Sequence, residues 1–272
     1  MIIIKLGGSV ITRKGEYATL NSAVMENVAR ELSEYRGSEP LVIVHGAGSF
    51  GHILAKQYNL KDPVRDSELP KGIALVQRDV RKLNLLVMEP LLAIGLPVVS
   101  VPPALATELD DGALAWFDEG MFARYLDIGT IPVTFGDVVP DRKRGVSILS
   151  GDTIMERLVE DFPVSKAVFV LDVDGFFDRP PSEEGAILYT SLSSDDLRDA
   201  LLKDQTSGPV SSKDITDVVD ITGSIRGKME SALRIADSGT DTYLVNGHQP
   251  SRLSSILNDR PAISTKIEGV RR

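Results

Sequence analysis

The chain has 272 residues, 42% of them hydrophobic and 25% charged, and its 30 Lys and Arg against 39 Asp and Glu leave a net charge of −9. An acidic chain with no basic stretch is a poor nucleic-acid partner, so any anion it binds must be held by a few locally placed cations and backbone N–H groups. The absence of cysteine removes disulfides, thiolate metal sites and Cys nucleophiles.

The first predicted element is an apolar strand, Ile2–Leu6, with neither the basic start nor the long apolar run of a signal peptide. No later run reaches the ~18 apolar residues of a spanning helix. The expectation is a soluble cytoplasmic protein with no membrane partner. Five more short β-branched runs follow, at Leu41–His45, 97–101, Ile131–Phe135, 167–171 and 243–245. They are continuous rather than alternating, as strands of a parallel sheet buried on both faces should be. Between them lie helical stripes. From Asn21, a plausible N-cap, Val24, Met25, Val28, Leu32 and Tyr35 recur at helical spacing; Ile73, Val76, Val80, Leu83 and Val87 form a second stripe. Ile154, Leu158 and Val159 fit a short helix after Gly151, and a last helix from Arg226 through Met229, Ala232, Leu233 and Ala236 can close at Gly239. Residues 179–185 and 205–212 read as loops. Strands alternating with helices predict an α/β fold built on a mainly parallel central sheet, whose ligands sit beyond the carboxyl ends of the strands. The length predicts one domain, 1–272, with a soft division near residue 165.

Five segments carry residues suited to chemistry at such strand ends. In Lys5-Leu6-Gly7-Gly8-Ser9, an ammonium closes an apolar strand, a costly place without a partner, and the glycines allow a ligand close to their N–H groups. Lys14 lies in the loop beyond. A strand-end lysine reaching solvent before a glycine turn is an equal alternative. In the second segment, running from His45 to His52, Gly46, Gly48 and Gly51 have the G-x-G-x-x-G spacing of a dinucleotide site. No apolar strand ending in an acid follows ~20 residues later, so that reading fails. A glycine-rich turn into a helix N-terminus, suited to an anion, survives. His52 on that first turn offers a donor to a phosphate oxygen, and His45 reads equally as a satisfied strand-end residue.

Ser150-Gly151-Asp152 offers a carboxylate to orient lysines or simply a helix cap. The segment with Asp172, Asp174, Phe177 and Asp178 is a nucleotide loop or an acidic turn. Around Gly223 and Lys228 the sequence is not a P-loop, because only three residues separate Gly223 from Gly227 and Met229 stands where a metal-binding hydroxyl belongs. Lys228 in a first helical turn would oppose the helix dipole unless an anion were near.

In this order the segments resemble the amino acid kinase family: Lys5 to Ser9 looks like its N-terminal signature, and Gly223 to Lys228 like its late lysine-bearing loop. Within it, His45 to His52 is similar to the pattern of archaeal isopentenyl phosphate kinases, although Ala47 stands where many relatives have a third glycine. The resemblance implies an open αβα sandwich, an acceptor lobe over 1–165, a nucleotide lobe over 166–272, and a homodimer. It implies in-line transfer of a phosphoryl group from ATP to a small-molecule phosphate, with Mg²⁺ carried by ATP and water rather than by a protein metal site. Lys5, Lys14 and Lys228 would stabilise the transferring group, Asp152 would hold the lysines, and His52 would bind the acceptor phosphate. Gly7, Gly8, Ser9, Gly48, Asp172, Phe177 and Gly223 would contact the nucleotide, and Gly46, Ala47 and Gly151 the acceptor. Ile73, Val76, Val80 and Leu83 either wall a pocket for an apolar acceptor tail or face the core.

Overall fold

The structure, a computed structural model, describes residues 1–61, 63, 66–206 and 215–271, of which 203–206 and 215–225 are described only as backbone. β1 (Ile2–Leu6) leads into the one-turn helix α1 (Gly8–Ile11), a loop and α2 (Ser22–Ser33); β2 (Leu41–His45) runs almost directly into α3 (Gly48–Gln57). The long α4 (Leu69–Ala93) returns to β3 (Val98–Ser100). After α5 (Pro103–Ala106) come the hairpin β4 (Thr107–Asp110) and β5 (Ala113–Phe117), α6 (Glu119–Asp127) and β6 (Ile131–Phe135). A second hairpin, β7 (Asp137–Asp141) and β8 (Gly145–Leu149), precedes α7 (Gly151–Asp161) and β9 (Lys166–Leu171). The short strands β10 (Phe176–Phe177), β11 (Leu188–Tyr189) and β12 (Ser191–Leu192) follow, then α8 (Ser194–Thr206), α9 (Ile215–Asp237), β13 (Asp241–Asn246), α10 (Arg252–Leu257) and β14 (Thr265–Ile267).

The main sheet has the order β12-β14-β13-β9-β1-β2-β6-β3. The expected strands are the contiguous run from β13 to β3, all parallel; β14 joins β13 antiparallel and carries β12 at the edge. Alternation along β1 splits the core into two layers. Ile2, Ile4 and Leu6 pack with α2, α4 and α10, whereas Ile3 packs with α6, α7, α8 and α9. Both sheet faces are therefore covered, as parallel strands require, and the fold is an open αβα sandwich. Lys5, two residues beyond Ile3, inherits the α7–α9 face. Among the described residues, no helix is long and apolar enough to cross a membrane.

Three sequence expectations change. The helix expected from Arg226 is α9, which begins at Ile215. The apolar spacing of residues 218, 221 and 225 runs straight into Met229, and helical context overrides Gly223 and Gly227. Lys228 thus sits in mid-helix, not in a first turn where the helix dipole would oppose it. Of the loop expected at 205–212, residues 205–206 close α8 and the remainder lies outside the described residues. His52 stands one turn deeper in α3 than expected, because the helix starts at Gly48.

Candidate active site

Parallel pairing puts the carboxyl ends of β9, β1 and β2 side by side, and the ladder continues one residue past each of the last two. Gly7 N–H donates to Val170 O at 2.9 Å, and Gly46 N–H to Leu6 O at 3.0 Å. The two loops then touch backbone to backbone. A Cβ on Gly8 would stand 2.6 Å from Gly48 N, so glycine is what allows the approach. Gly48 also needs its positive φ, +49°, to swing the chain into α3. Thr12 locks the junction: its hydroxyl donates to Gly8 O at 2.7 Å and accepts from Ser49 N–H at 3.0 Å. The N–H groups of Gly8, Ser9, Ala47 and Gly48 have no acceptor among the described residues. Four unclaimed donors at two helix starts form a nest for an anion.

Three lysines cluster at the same end of the sheet. Lys5, only 5% exposed, reaches across the sheet face to the Asp152 carboxylate and lies 5.7 Å from the Phe169 ring centre. Gly151 leaves room for it, since a Cβ there would be 3.3 Å from Lys5 Cε. Ser150 caps α7 by accepting from Thr153 N–H at 3.0 Å, which sets Asp152 in the first turn, where a negative charge is favoured. Lys14, exposed in the loop after α1, pairs with Asp172 at 3.0 Å, just past β9. Burial tends to raise the Asp172 pKa, but the hydrogen bond and charge of Lys14 outweigh it and hold it below normal. Lys228 is half-buried on α9; burial lowers its pKa first, the neighbouring Lys5 next, and Lys14 adds to this against Asp152 and Asp172. Lys5, Lys14, Lys228, Asp152 and Asp172 thus share one electrostatic environment, four chain segments meeting where the sequence placed a cleft.

His52 is exposed on α3, whose N-terminus carries the amides. Phe177 of β10 pairs with Leu188 of β11, and Gly223 falls in the backbone-only part of α9. Ser9 is half-buried in α1. The α4 stripe faces the core: Val76 and Val80 pack with Leu54, Leu60 and Phe135, and Leu83 lies under the sheet. Those three side chains are spent on packing; Ile73 alone lies at the margin of its cluster.

The sequence reading missed three polar contacts of α4. Asp79 accepts from Tyr17 Oη and, at 2.7 Å, from Arg78 Nε, tying the Lys14 loop to α4. Asn84 joins His45 to Ser100. Arg81 approaches the buried Asp137 at 3.2 Å. The signal was present: Asp79 and Asn84 fall on the apolar stripe between Val76 and Val87, where a polar residue must find a partner.

With this geometry in view, comparison with known sequences decides the family: the amino acid kinase family matches residues 1–246. The chain belongs to the amino acid kinase family. It is 34% identical to the isopentenyl phosphate kinase of Methanothermobacter thermautotrophicus over 278 residues, covering 99% of both chains. The isopentenyl phosphate kinase of Thermoplasma acidophilum is 34% identical over 94% of this chain and 96% of its own. A solved structure described as an X-ray structure of isopentenyl phosphate kinase superposes with a TM-score of 0.80 at 31% identity, over 98% of this chain and 100% of the other. In this member of the family, no group of three or more His, Asp or Glu side chains suited to a metal occurs among the described residues.

Proposed function

We propose that this amino acid kinase is an isopentenyl phosphate kinase, moving the γ-phosphoryl group of ATP onto isopentenyl phosphate to give isopentenyl diphosphate and ADP. The observation that carries the reading is that Lys5, Lys14 and Lys228 share one electrostatic environment with Asp152 and Asp172, at the sheet end from which the glycine loops bearing the unclaimed amides of Gly8, Ser9, Ala47 and Gly48 depart. Phosphoryl transfer between two phosphates asks little covalent chemistry of a protein. It needs two anions held in line and the charge on the moving group neutralised.

Each residue then has a task. Asp152 aims Lys5, and Asp172 holds Lys14 until a triphosphate takes its place. The half-buried Lys228 gains most from an arriving anion, which offsets both its desolvation and the nearby Lys5. Gly8 and Gly48 amides bind phosphoryl oxygens, and His52 binds the acceptor phosphate at the mouth of α3. Asp172, Phe177 and Gly223 contact the nucleotide, with residues 1–165 forming the acceptor lobe and 166–272 the nucleotide lobe. Ile73 is the member of the α4 stripe left to meet the apolar tail. The carboxylates nearest the lysines are already paired with them, which suits a Mg²⁺ carried by the triphosphate and water rather than by a protein cage; when bound, it neutralises charge on the phosphates. We place the enzyme in the cytoplasm as a homodimer.

The test is ADP release with ATP, Mg²⁺ and a panel of isopentenyl phosphate, UMP, a phosphonate and N-acetylglutamate. The proposal expects the highest kcat/KM with isopentenyl phosphate. Preference for another member reassigns the acceptor within the fold, and no turnover with any of them makes the chain a nucleotide-binding regulator.

A further inference from the structure

His45 takes no part in the chemistry above, yet it is fully buried beside the amide nest, stacked on Phe135 with ring centres 5.2 Å apart. Its Nδ1 lies 3.1 Å from Gly46 O, its Nε2 lies 3.2 Å from Asn84 Nδ2, and Ser100 Oγ lies 2.6 Å from Asn84 Oδ1. One atom fixes the direction of the whole chain. A backbone carbonyl only accepts, so Nδ1 carries the proton. Burial holds the imidazole neutral, with a pKa pushed down to about 4, so Nε2 is an acceptor and must face the Asn84 amide nitrogen. The Asn84 oxygen is then left to accept from Ser100. The relay runs one way, from β3 through α4 to the turn that opens α3, and it ends on the Gly46 carbonyl.

The end point matters because of what lies on the other side of that peptide. A trans peptide points its C=O and N–H in opposite directions. Pulling the Gly46 carbonyl toward the buried imidazole turns the Ala47 N–H away from the core, and that N–H is one of the four unclaimed donors. Gly46 and Gly48 have no side chains to hold the turn, so its backbone is free to rotate unless something outside it supplies the constraint.

We infer that His45 is a positioning residue whose Nδ1–H clamps the Gly46 carbonyl and thereby presents the Ala47 N–H to a phosphate oxygen. This rests on the kinase reading. Its discriminating test uses the two amide replacements. In His45→Asn the side-chain amide occupies the place of Nδ1, whereas in His45→Gln it occupies that of Nε2. His45→Asn retains kcat within about threefold, while His45→Gln and His45→Leu lose at least about tenfold, the order expected when a donor is misplaced. Equal activity of the Asn and Gln variants, at matched melting temperatures, would overturn the inference.

If the variants do not fold, the wild-type imidazole spectrum decides, since the chain has only three histidines. Nitrogen-correlated NMR should show an Nδ1–H tautomer for one of them. That signal should not titrate between pH 5 and 8, and it should move when inorganic phosphate is added. An Nε2–H tautomer, or a signal indifferent to phosphate, would refute the clamp. A wild type that ignores isopentenyl phosphate while its Nδ1–H signal still responds to inorganic phosphate would sink the kinase assignment and leave the clamp standing.

Discussion

Lys14 and His52 occupy opposite sides of the proposed transfer, and their variants should fail differently. Lys14 is exposed and, among the described residues, pairs with Asp172, so it has little ground-state packing to lose. Lys14→Ala should lower kcat by roughly ten- to hundredfold with smaller rises in either KM, the pattern of a group acting mainly in the transition state. His52→Ala should raise the KM for isopentenyl phosphate and lower turnover while the KM for ATP stays within about twofold. Steady-state kinetics on both substrates distinguishes them; an unchanged kcat removes Lys14 from the mechanism, and equal loss of ATP affinity removes His52 from the acceptor side. Asp137 makes a separate prediction about stability. It is inaccessible, and burial pushes its pKa from 3.8 up to about 6 despite Arg81. A carboxyl whose folded pKa is raised favours the native state while protonated, and that benefit disappears as pH rises from about 4 to 6. The displacement corresponds to roughly 3 kcal/mol. Asp137→Asn should therefore gain stability relative to wild type as pH climbs through this interval, seen as a melting-temperature difference that grows from pH 4 to 7. A difference independent of pH would contradict the burial argument.

The loop between α1 and α2 is the element that links the two sides of the site. Lys14 ties it to Asp172, while Ala18 and Thr19 donate to Ser49 on α3 and Tyr17 reaches Asp79 on α4. Tyr17→Phe removes one of these ties without emptying any core position, because Tyr17 is 48% exposed. Amide exchange across residues 12–20 should quicken and kcat should fall about three- to tenfold, with acceptor and ATP KM values nearly unchanged. Unaltered exchange would show that Asp79 does not restrain the loop. These ties were illegible in sequence because each joins residues far apart in the chain, and only the buried polar residues Asp79 and Asn84 on an apolar stripe hinted at them. The central strands were legible for the opposite reason: β1, β2, β6 and β9 are buried along their whole length, so their composition alone announces them. The hairpin β4–β5 escaped although it carries a plain signal. Asp111-Gly112 takes positive φ at both positions, 55° and 84°, the turn that Asp-Gly favours. The second hairpin hides its strands behind charges. It is pinned by Asp141, whose carboxylate accepts from the N–H groups of Gly112, Lys143 and Arg144 and from the Ser147 hydroxyl.

At the scale of the whole molecule, one sheet does the assembling. Lys5, Gly46 and Asp172 stand at the ends of neighbouring parallel strands, so the order β9-β1-β2 fixes which residues can meet. Lys5 and the two glycine loops stand at those ends, where the sequence predicts them. Lys228 differs: expected in the first turn of a helix from Arg226, it stands in mid-helix, because α9 runs through Gly223 and Gly227. The sheet also runs unbroken across residue 165, since β1 pairs with β9 along its length. Lobes divided there would share a framework rather than hinge apart, and the phosphates would be aligned by a rigid floor. The most direct measurement of this account is a ³¹P NMR time course with ATP, Mg²⁺ and isopentenyl phosphate. It predicts that the monophosphate signal is replaced by the paired doublets of a diphosphate, in step with conversion of ATP to ADP. Release of inorganic phosphate with the isopentenyl phosphate signal unchanged would contradict it.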